Sequence, residues 1–254
     1  VVYEKYLASL GKSRFDYTRE ELYQQVWDFV SEKRGDTELQ LRALGTSADW
    51  DSLVFTLDEK VITTVYDTFK KMWDDDLIYR GERIVNYCTV HQTSFADIEV
   101  VHHDETASIW EIAYPVVDQM RDIVVATTRP ETMLGDTAVA VHPDDERYKD
   151  LIGQSVQLPL TNRVIPIVAD EHVDPTFGTG AVKVTPAHDP NDFEIGKRHD
   201  LPMIKVIDES GKIIREIGGL YGGLAAISAR ERIIADLDAG NQLRGTKEIS
   251  HSVG

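Results

Sequence analysis

Apolar and polar positions recur along this chain with two different periods, and the change falls near residue 83. Before it the period is helical. Leu22, Val26, Phe29 and Val30 return every three or four residues and predict a helix with one apolar face. Thr18, followed three residues later by Glu21, has the form of a capping box and marks that helix's start. Gly35 and Gly45 are expected to break the run, leaving a second short helix around Leu39, Leu41 and Leu44. A third helix is expected from about Asp58 to Asp76, with Val61, Ile62, Val65, Phe69 and Met72 on one side. The run Asp74-Asp75-Asp76 reads as its solvated end.

From Ile84 onward the pattern shortens, and Gly and Pro become frequent. Strands are expected at Arg83–Tyr87, Ile98–His102, Ser108–Val116, Ile123–Thr128, Ala138–Val141, Ser155–Leu158, Val164–Ala169, Gly180–Thr185, Met203–Ile207 and Glu248–Val253. Turn clusters such as Pro175–Gly178 and Asp208–Gly211 separate them. Helices are expected near Asn191–His199 and from Ser228 to Asp238. The fold class is therefore α+β. A helical segment over residues 1–83 precedes a strand-rich barrel with helical insertions over residues 84–254.

Composition narrows this picture. Apolar residues are 42% and charged residues 28% of the 254, a globular balance that excludes a fibre or a disordered tail. No stretch reaches the ~20 apolar residues of a membrane-spanning helix, so no membrane partner is expected. Val1-Val2-Tyr3-Glu4-Lys5 lacks a basic-then-apolar signal. A single cysteine, Cys88, excludes an intrachain disulfide framework, and the cytoplasm is the expected compartment. The missing initiator Met suggests a piece cut from something longer. Net charge is −17. Proteins that hold nucleic acid by their own field usually read basic, so any RNA contact made by this chain alone should be local and weak, which leaves a small substrate or a short nucleic acid end open.

Three segments can carry chemistry. Thr127-Thr128-Arg129-Pro130-Glu131-Thr132 follows an apolar strand, where Pro fixes the backbone and the hydroxyls and Arg can face a ligand; a simple capped turn explains it equally. Phe177–Asp192 contains Gly178-Thr179-Gly180 and a strand that puts Lys183 and Thr185 on one face. After Pro186, Asp189 and Asp192 sit at the mouth of a helix. His188 invites a metal reading with His142 or His199, but no ligand spacing supports it. The third segment, Cys88-Thr89-Val90-His91, has a spacing that can form half of a zinc knuckle, but a structural site needs four ligands and no second half follows in this sequence, so no metal is expected.

The first two segments together resemble the editing domain of class I aminoacyl-tRNA synthetases for valine, isoleucine and leucine. Lys183-Val184-Thr185-Pro186-Ala187-His188-Asp189-Pro190-Asn191-Asp192-Phe193 resembles the valine-specific branch, where isoleucine enzymes typically carry His at the lysine position. So do Leu77–Asn86 and Leu134–Pro143, and the resemblance covers essentially the whole chain. The His-Ile-Gly-His and Lys-Met-Ser-Lys-Ser signatures of the synthetic site do not occur in this sequence. The resemblance therefore implies an excised insertion: a helical connective segment, the editing domain, and a returning strand at His251-Ser252-Val253-Gly254.

The resemblance also implies a function and a set of roles. Threonine is nearly isosteric with valine, and valine enzymes are the usual illustration of the resulting limit, since an apolar pocket rejects threonine only about a hundredfold. A second site that demands the hydroxyl would hydrolyse threonine mischarged onto the 3′ end of tRNA(Val). Asp192 would hold the substrate's ammonium group. Lys183 and Asp189 would read the hydroxyl with Thr185 beside them, and Phe177 would pack on the methyl. Arg129 and Thr132, with Thr128 alongside, would surround the ester and the terminal ribose. No cofactor is implied for editing; ATP and Mg belong to the parent's synthetic site. The implied partners are the charged tRNA end and the rest of the parent synthetase, with the protein working as a monomer. A metal-dependent hydrolase built on His142, His188 and His199, and a non-catalytic tRNA-end-binding module, are the alternatives.

Overall fold

The computed structural model describes residues 2–253, His251 by its backbone alone. Two compact units divide between Arg80 and Gly81. The first holds α1 (Val2–Ser9), α2 (Arg19–Ala43) and α3 (Glu59–Asp74). Thr18 caps α2 reciprocally: its hydroxyl accepts the Glu21 amide at 3.3 Å, and Glu21 accepts the Thr18 amide at 2.9 Å. Gly35 does not break the run, because α2 continues through it for 25 residues. One interior glycine costs only about 1 kcal/mol against alanine, and Glu32, Lys33, Arg34 and Glu38 around it favour helix. Leu39 and Leu41 therefore lie in the last turns of α2, and Gly45, at φ 77°, follows the Leu44 cap. The short α1 was not foreseen. Tyr3 fixes it to α2, edge-on to Phe29 at 5.3 Å and donating to the Gln25 side chain at 3.0 Å.

The second unit carries β1 (Asn86–Cys88), β2 (Thr93–Phe95), β3 (His103–Pro115), β4 (Asp122–Thr127), β5 (Ala138–Val141), β6 (Ser155–Gln157), β7 (Val164–Ala169), β8 (Ala181–Val184) and β9 (Leu243–Val253). Helices α4 (Pro190–Arg198), α5 (Arg215–Gly218) and α6 (Ala226–Ala239) are inserted after β8. β1 and β2 form a small hairpin; the orders β4-β3-β9 and β6-β7-β5-β8 make the two larger sheets. Every pair is antiparallel except β5 with β7. The larger sheets meet at two seams, a single bridge between Val116 and Val156 and a stretch where β4 lies along β8. This is the strand-rich barrel with helical insertions.

Several expected strands differ. Ile98–His102 begins instead in a tight helical turn, Asp97–Glu99, because the Glu99 carboxylate accepts the Ala96 amide at 2.9 Å. Met203–Ile207 is not a strand: the Val206 amide donates to the His188 ring rather than to a ladder. β3 and β9 run longer than their alternation predicts because they pair with each other from His103↔Val253 to Ile112↔Leu243. Gly254, the last residue of the expected returning strand, lies outside the described residues. Among the described residues no helix is long and apolar enough to cross a membrane.

β5 is buried on both faces. Val139 and Val141 enter the main core with Ile112, Tyr114, Ile123 and Val125. Ala138 and Ala140 point to a second, smaller core with Val173, Val184 and Ile195. Small side chains on that face let α4 approach, and full burial of Ile195 contributes about 1.5–3 kcal/mol to seating it. Helix α4 is thereby held over the end of β8.

Candidate active site

All eight residues singled out from the sequence line one cleft of about 520 Å³: Thr128, Arg129, Thr132, Phe177, Lys183, Thr185, Asp189 and Asp192. Ile109, Ala126, Val182 and Ile249 give it an apolar wall from β3, β4, β8 and β9. Phe177 stands at the rim, 69% exposed.

The turn after β4 forms one side. Thr127 accepts the Arg129 amide at 3.0 Å, and the Thr132 hydroxyl donates to the Arg129 carbonyl at 2.9 Å. Thr132 thus spends its proton inside its own turn. Thr128 makes no hydrogen bond among the described residues, so its hydroxyl is available to the cleft. Arg129 Nη1 donates to the His188 carbonyl at 3.1 Å, joining this turn to the segment before α4. Glu131, buried beneath, accepts two bonds from Arg230 of α6 at 2.8 Å each.

The other side is built by Pro186 and the start of α4. Asp189 is first a helix cap: its Oδ1 accepts the amides of Asn191 at 2.8 Å and Asp192 at 3.1 Å. Only Oδ2 is left for a ligand, which narrows the hydroxyl-reading role expected of it. Asp192 is 6% exposed, and its Oδ2 accepts the Thr185 amide at 2.8 Å. Burial pushes its carboxyl up to about 6; Asp189 and Asp136 add to this, while Lys183 and the Thr185 amide oppose it.

Lys183 lies across from Val139 in the β5–β8 ladder, on the face that enters the main core with Ala181. Its ammonium donates to the Thr185 hydroxyl at 2.6 Å and sits 3.5 Å from Asp136 Oδ1. Thr185 donates to the same oxygen at 2.6 Å, and Tyr114 donates to Asp136 Oδ2 at 2.7 Å. Asp136 is fully buried. Burial pushes its carboxyl up, and the charge of Lys183 with the hydroxyls of Thr185 and Tyr114 works against that shift. Gly135 makes the approach possible, since a Cβ there would lie 2.5 Å from Val206 and 2.7 Å from the Ile204 carbonyl.

His188 also borders the cleft. Its Nε2 accepts the Val206 amide at 2.7 Å, which assigns the ring proton to Nδ1. Burial first, then the charges of Arg129, Lys183 and Lys205, bring its pKa down to about 4. The other two histidines of the metal reading are engaged elsewhere. His142 Nδ1 accepts the Asp144 amide at 3.2 Å, and His199 Nε2 pairs with Asp170 at 2.9 Å. Cys88 and His91 contact each other at 3.3 Å. Among the described residues no group of three or more His, Cys, Asp or Glu side chains is placed to hold a metal.

Sequence reasoning assigned no role to Asp136, Tyr114, Glu131 or Arg230. Each acts through a partner far along the chain, 47 residues for Asp136 and Lys183 and 99 for Glu131 and Arg230. Only the strand pairing brings them together. The one local signal was Gly135-Asp136, an acid beside a glycine, one residue ahead of an all-apolar strand.

A family model described as tRNA synthetases class I (I, L, M and V) matches residues 1–214. The chain belongs to the class I tRNA synthetases. Within that family it is 52% identical over its full length to the valine--tRNA ligase of Syntrophotalea carbinolica, and 48% identical over its full length to that of Geobacter sulfurreducens. It spans 28% of the length of each of these synthetases. Among solved structures, the crystal structure of GlLeuRS-CP1 aligns with 55% of this chain and 98% of its own, at 14% identity and a TM-score of 0.45. That likeness is distant.

Proposed function

We propose that this chain is the proofreading part of a valine-specific synthetase, hydrolysing the ester of threonine mischarged onto the 3′ end of tRNA(Val). The observation that carries the reading is the cleft's buried polar floor. Lys183 and Asp192 lie beside an apolar wall with hydrogen-bonding positions left for a small substrate that carries both an ammonium and a hydroxyl, and Thr185, fully buried, backs them.

Asp192 pairs with the ammonium through Oδ1, since Oδ2 is already held by the Thr185 amide. The substrate hydroxyl lies against Lys183 and Thr185, with Asp189 Oδ2 beside them. A valyl group fits the same volume but leaves those groups unpaired, at a cost of about 1–3 kcal/mol each. Water then attacks the ester carbonyl, the ester C–O bond breaks, and the ribose hydroxyl takes the proton. His188 does not serve as the base through Nε2, because that lone pair already accepts the Val206 amide. Binding and orientation of ester and water supply the acceleration, and no cofactor is needed.

The test is release of amino acid from Thr-tRNA(Val) and Val-tRNA(Val), by this chain and by the full-length synthetase. Selective release of threonine supports the reading. Tight binding of the tRNA end with no release by either protein would favour the binding-module alternative. Activity that disappears with chelator and returns with metal would favour a metal hydrolase.

A further inference from the structure

We propose that Asp136 is a positioning residue of this site: with Tyr114 behind it, it fixes the Lys183 ammonium and aims the Thr185 hydroxyl so that the pair recognises a hydroxyl on the substrate. The inference rests on the proofreading reading above and adds a residue that does not itself line the cleft.

The proton directions follow from the chemistry of the groups. A carboxylate only accepts, and both Asp136 oxygens are taken, Oδ2 by Tyr114 at 2.7 Å and Oδ1 by Thr185 at 2.6 Å. Thr185 has one proton, and it goes to Asp136. Lys183 donates to Thr185 at 2.6 Å, which uses one of that oxygen's two lone pairs. One lone pair of Thr185 is left. Of the three Lys183 protons, one goes to Thr185 and one is directed at Asp136, 3.5 Å away. One proton is left. One donor position of Lys183 and one acceptor position of Thr185 are therefore left side by side, the complement of a hydroxyl, with Lys183 at the cleft and Thr185 fully buried behind it.

Without Asp136 this polarity is lost. The Thr185 proton becomes free to turn toward the cleft, where it competes with the substrate's own donor. Lys183, only 8% exposed, loses the countercharge that lets its ammonium sit at the mouth of an apolar core. Arg163 keeps the carboxylate in place by donating to the backbone carbonyls of Asp136, at 3.0 Å, and Leu134. Every buried side-chain nitrogen and oxygen among the described residues has at least one hydrogen-bond partner, so the network holds these groups in place.

The experiment compares Asp136→Asn, Tyr114→Phe, Lys183→Met and the double variant Asp136→Asn/Lys183→Met in the full-length synthetase. Asp136→Asn is expected to lower kcat/KM for Thr-tRNA(Val) about ten- to a hundredfold, the size of one charge-assisted contact, and to lower that for Val-tRNA(Val) far less. In the Lys183→Met background the same change should cost clearly less than in the wild type, because the part of its effect that runs through Lys183 is already gone and only the part through Thr185 remains. Tyr114→Phe should give a smaller loss in the same direction, and it stands in where Asp136→Asn does not fold. A second readout needs no activity. In this chain labelled with 15N-lysine, a slowly exchanging ammonium signal that vanishes in Lys183→Met should also vanish in Asp136→Asn, or weaken in Tyr114→Phe. Full additivity of the two substitutions, equal losses for both substrates, or an unchanged ammonium signal in a folded variant would overturn the proposal. If the wild-type enzyme releases no threonine, the proofreading reading fails, and the ammonium signal alone decides the role of Asp136.

Discussion

The Asp192 carboxylate accepts the Thr185 amide at 2.8 Å across the turn between β8 and α4, which locks a buried acid against the strand that carries Lys183. Asparagine can accept the same amide. Asp192→Asn should therefore keep the turn but lose the ammonium partner. Threonine release should fall ten- to a hundredfold or more, since charge-assisted contacts contribute about 1.5–3 kcal/mol. Stability should rise. With its carboxyl raised from 3.8 to about 6, folded Asp192 holds its proton more tightly than the unfolded chain does. Its ionisation thus costs roughly 2–3 kcal/mol of stability, incurred as pH rises from about 4 to about 6. Thermal melts at pH 7.5 paired with deacylation rates check both halves; a lower melting point combined with full activity would refute them.

The same shift sets a pH dependence. In the proposed function the substrate ammonium needs the ionised carboxylate, so kcat/KM for Thr-tRNA should climb with pH through an apparent value near 6 and level off above it. In Asp192→Asn that limb should be missing from the residual rate. A wild-type profile flat from pH 5 to 7 would remove Asp192 from the binding step.

Asp189 has two duties that can be separated. Asp189→Ala removes a helix cap, at about 1 kcal/mol, together with the oxygen that faces the cleft. It should lower the melting point by several degrees and shrink the ratio of threonine to valine release. Asp189→Asn keeps an oxygen for the cap. It should melt like the wild type while still losing part of that ratio, and wild-type selectivity in Asp189→Asn would limit this residue to capping.

Away from the cleft, Asp170 ties the end of β7 to the end of α4. Arg198 reaches it at 3.0 and 2.9 Å, His199 at 2.9 Å and the His172 amide at 2.9 Å. Burial alone would raise its carboxyl, but these contacts outweigh it and bring it down to about 2. The stability it contributes is present above about 4 and lost as pH falls toward 2, roughly 2 kcal/mol in all. Asp170→Asn should cost about that much at pH 7 and nothing near pH 2, as urea titrations at the two pH values would show.

What could be read from the sequence was what neighbours along the chain decide. Thr18 with Glu21, the turn after β4 and the Asp189 cap of α4 are all closed by bonds to residues two or three positions away. The strand Ala138–Val141 showed itself by its unbroken apolar run. Gly35 misled because its weak local cost was outweighed by the helix formers around it. Met203–Ile207 misled because one amide in it was claimed by His188 across the fold. The floor of the cleft was half legible: Lys183 and Thr185 share a strand face by simple alternation. The acid that orients them is placed by a sheet register no local pattern records.

The long ladder between β3 and β9 has a consequence for how the protein is made. β9 closes the unit, yet its partner was synthesised before every other strand of the barrel, and the two supply Ile109 and Ile249 to the cleft's apolar wall. On the ribosome β3 keeps one edge bare until β9 has emerged. Until then β4 guards its other side, and the nascent chain carries an open strand edge that could pair with a stranger. The cleft is thus a late event of synthesis, finished only when β9 meets β3.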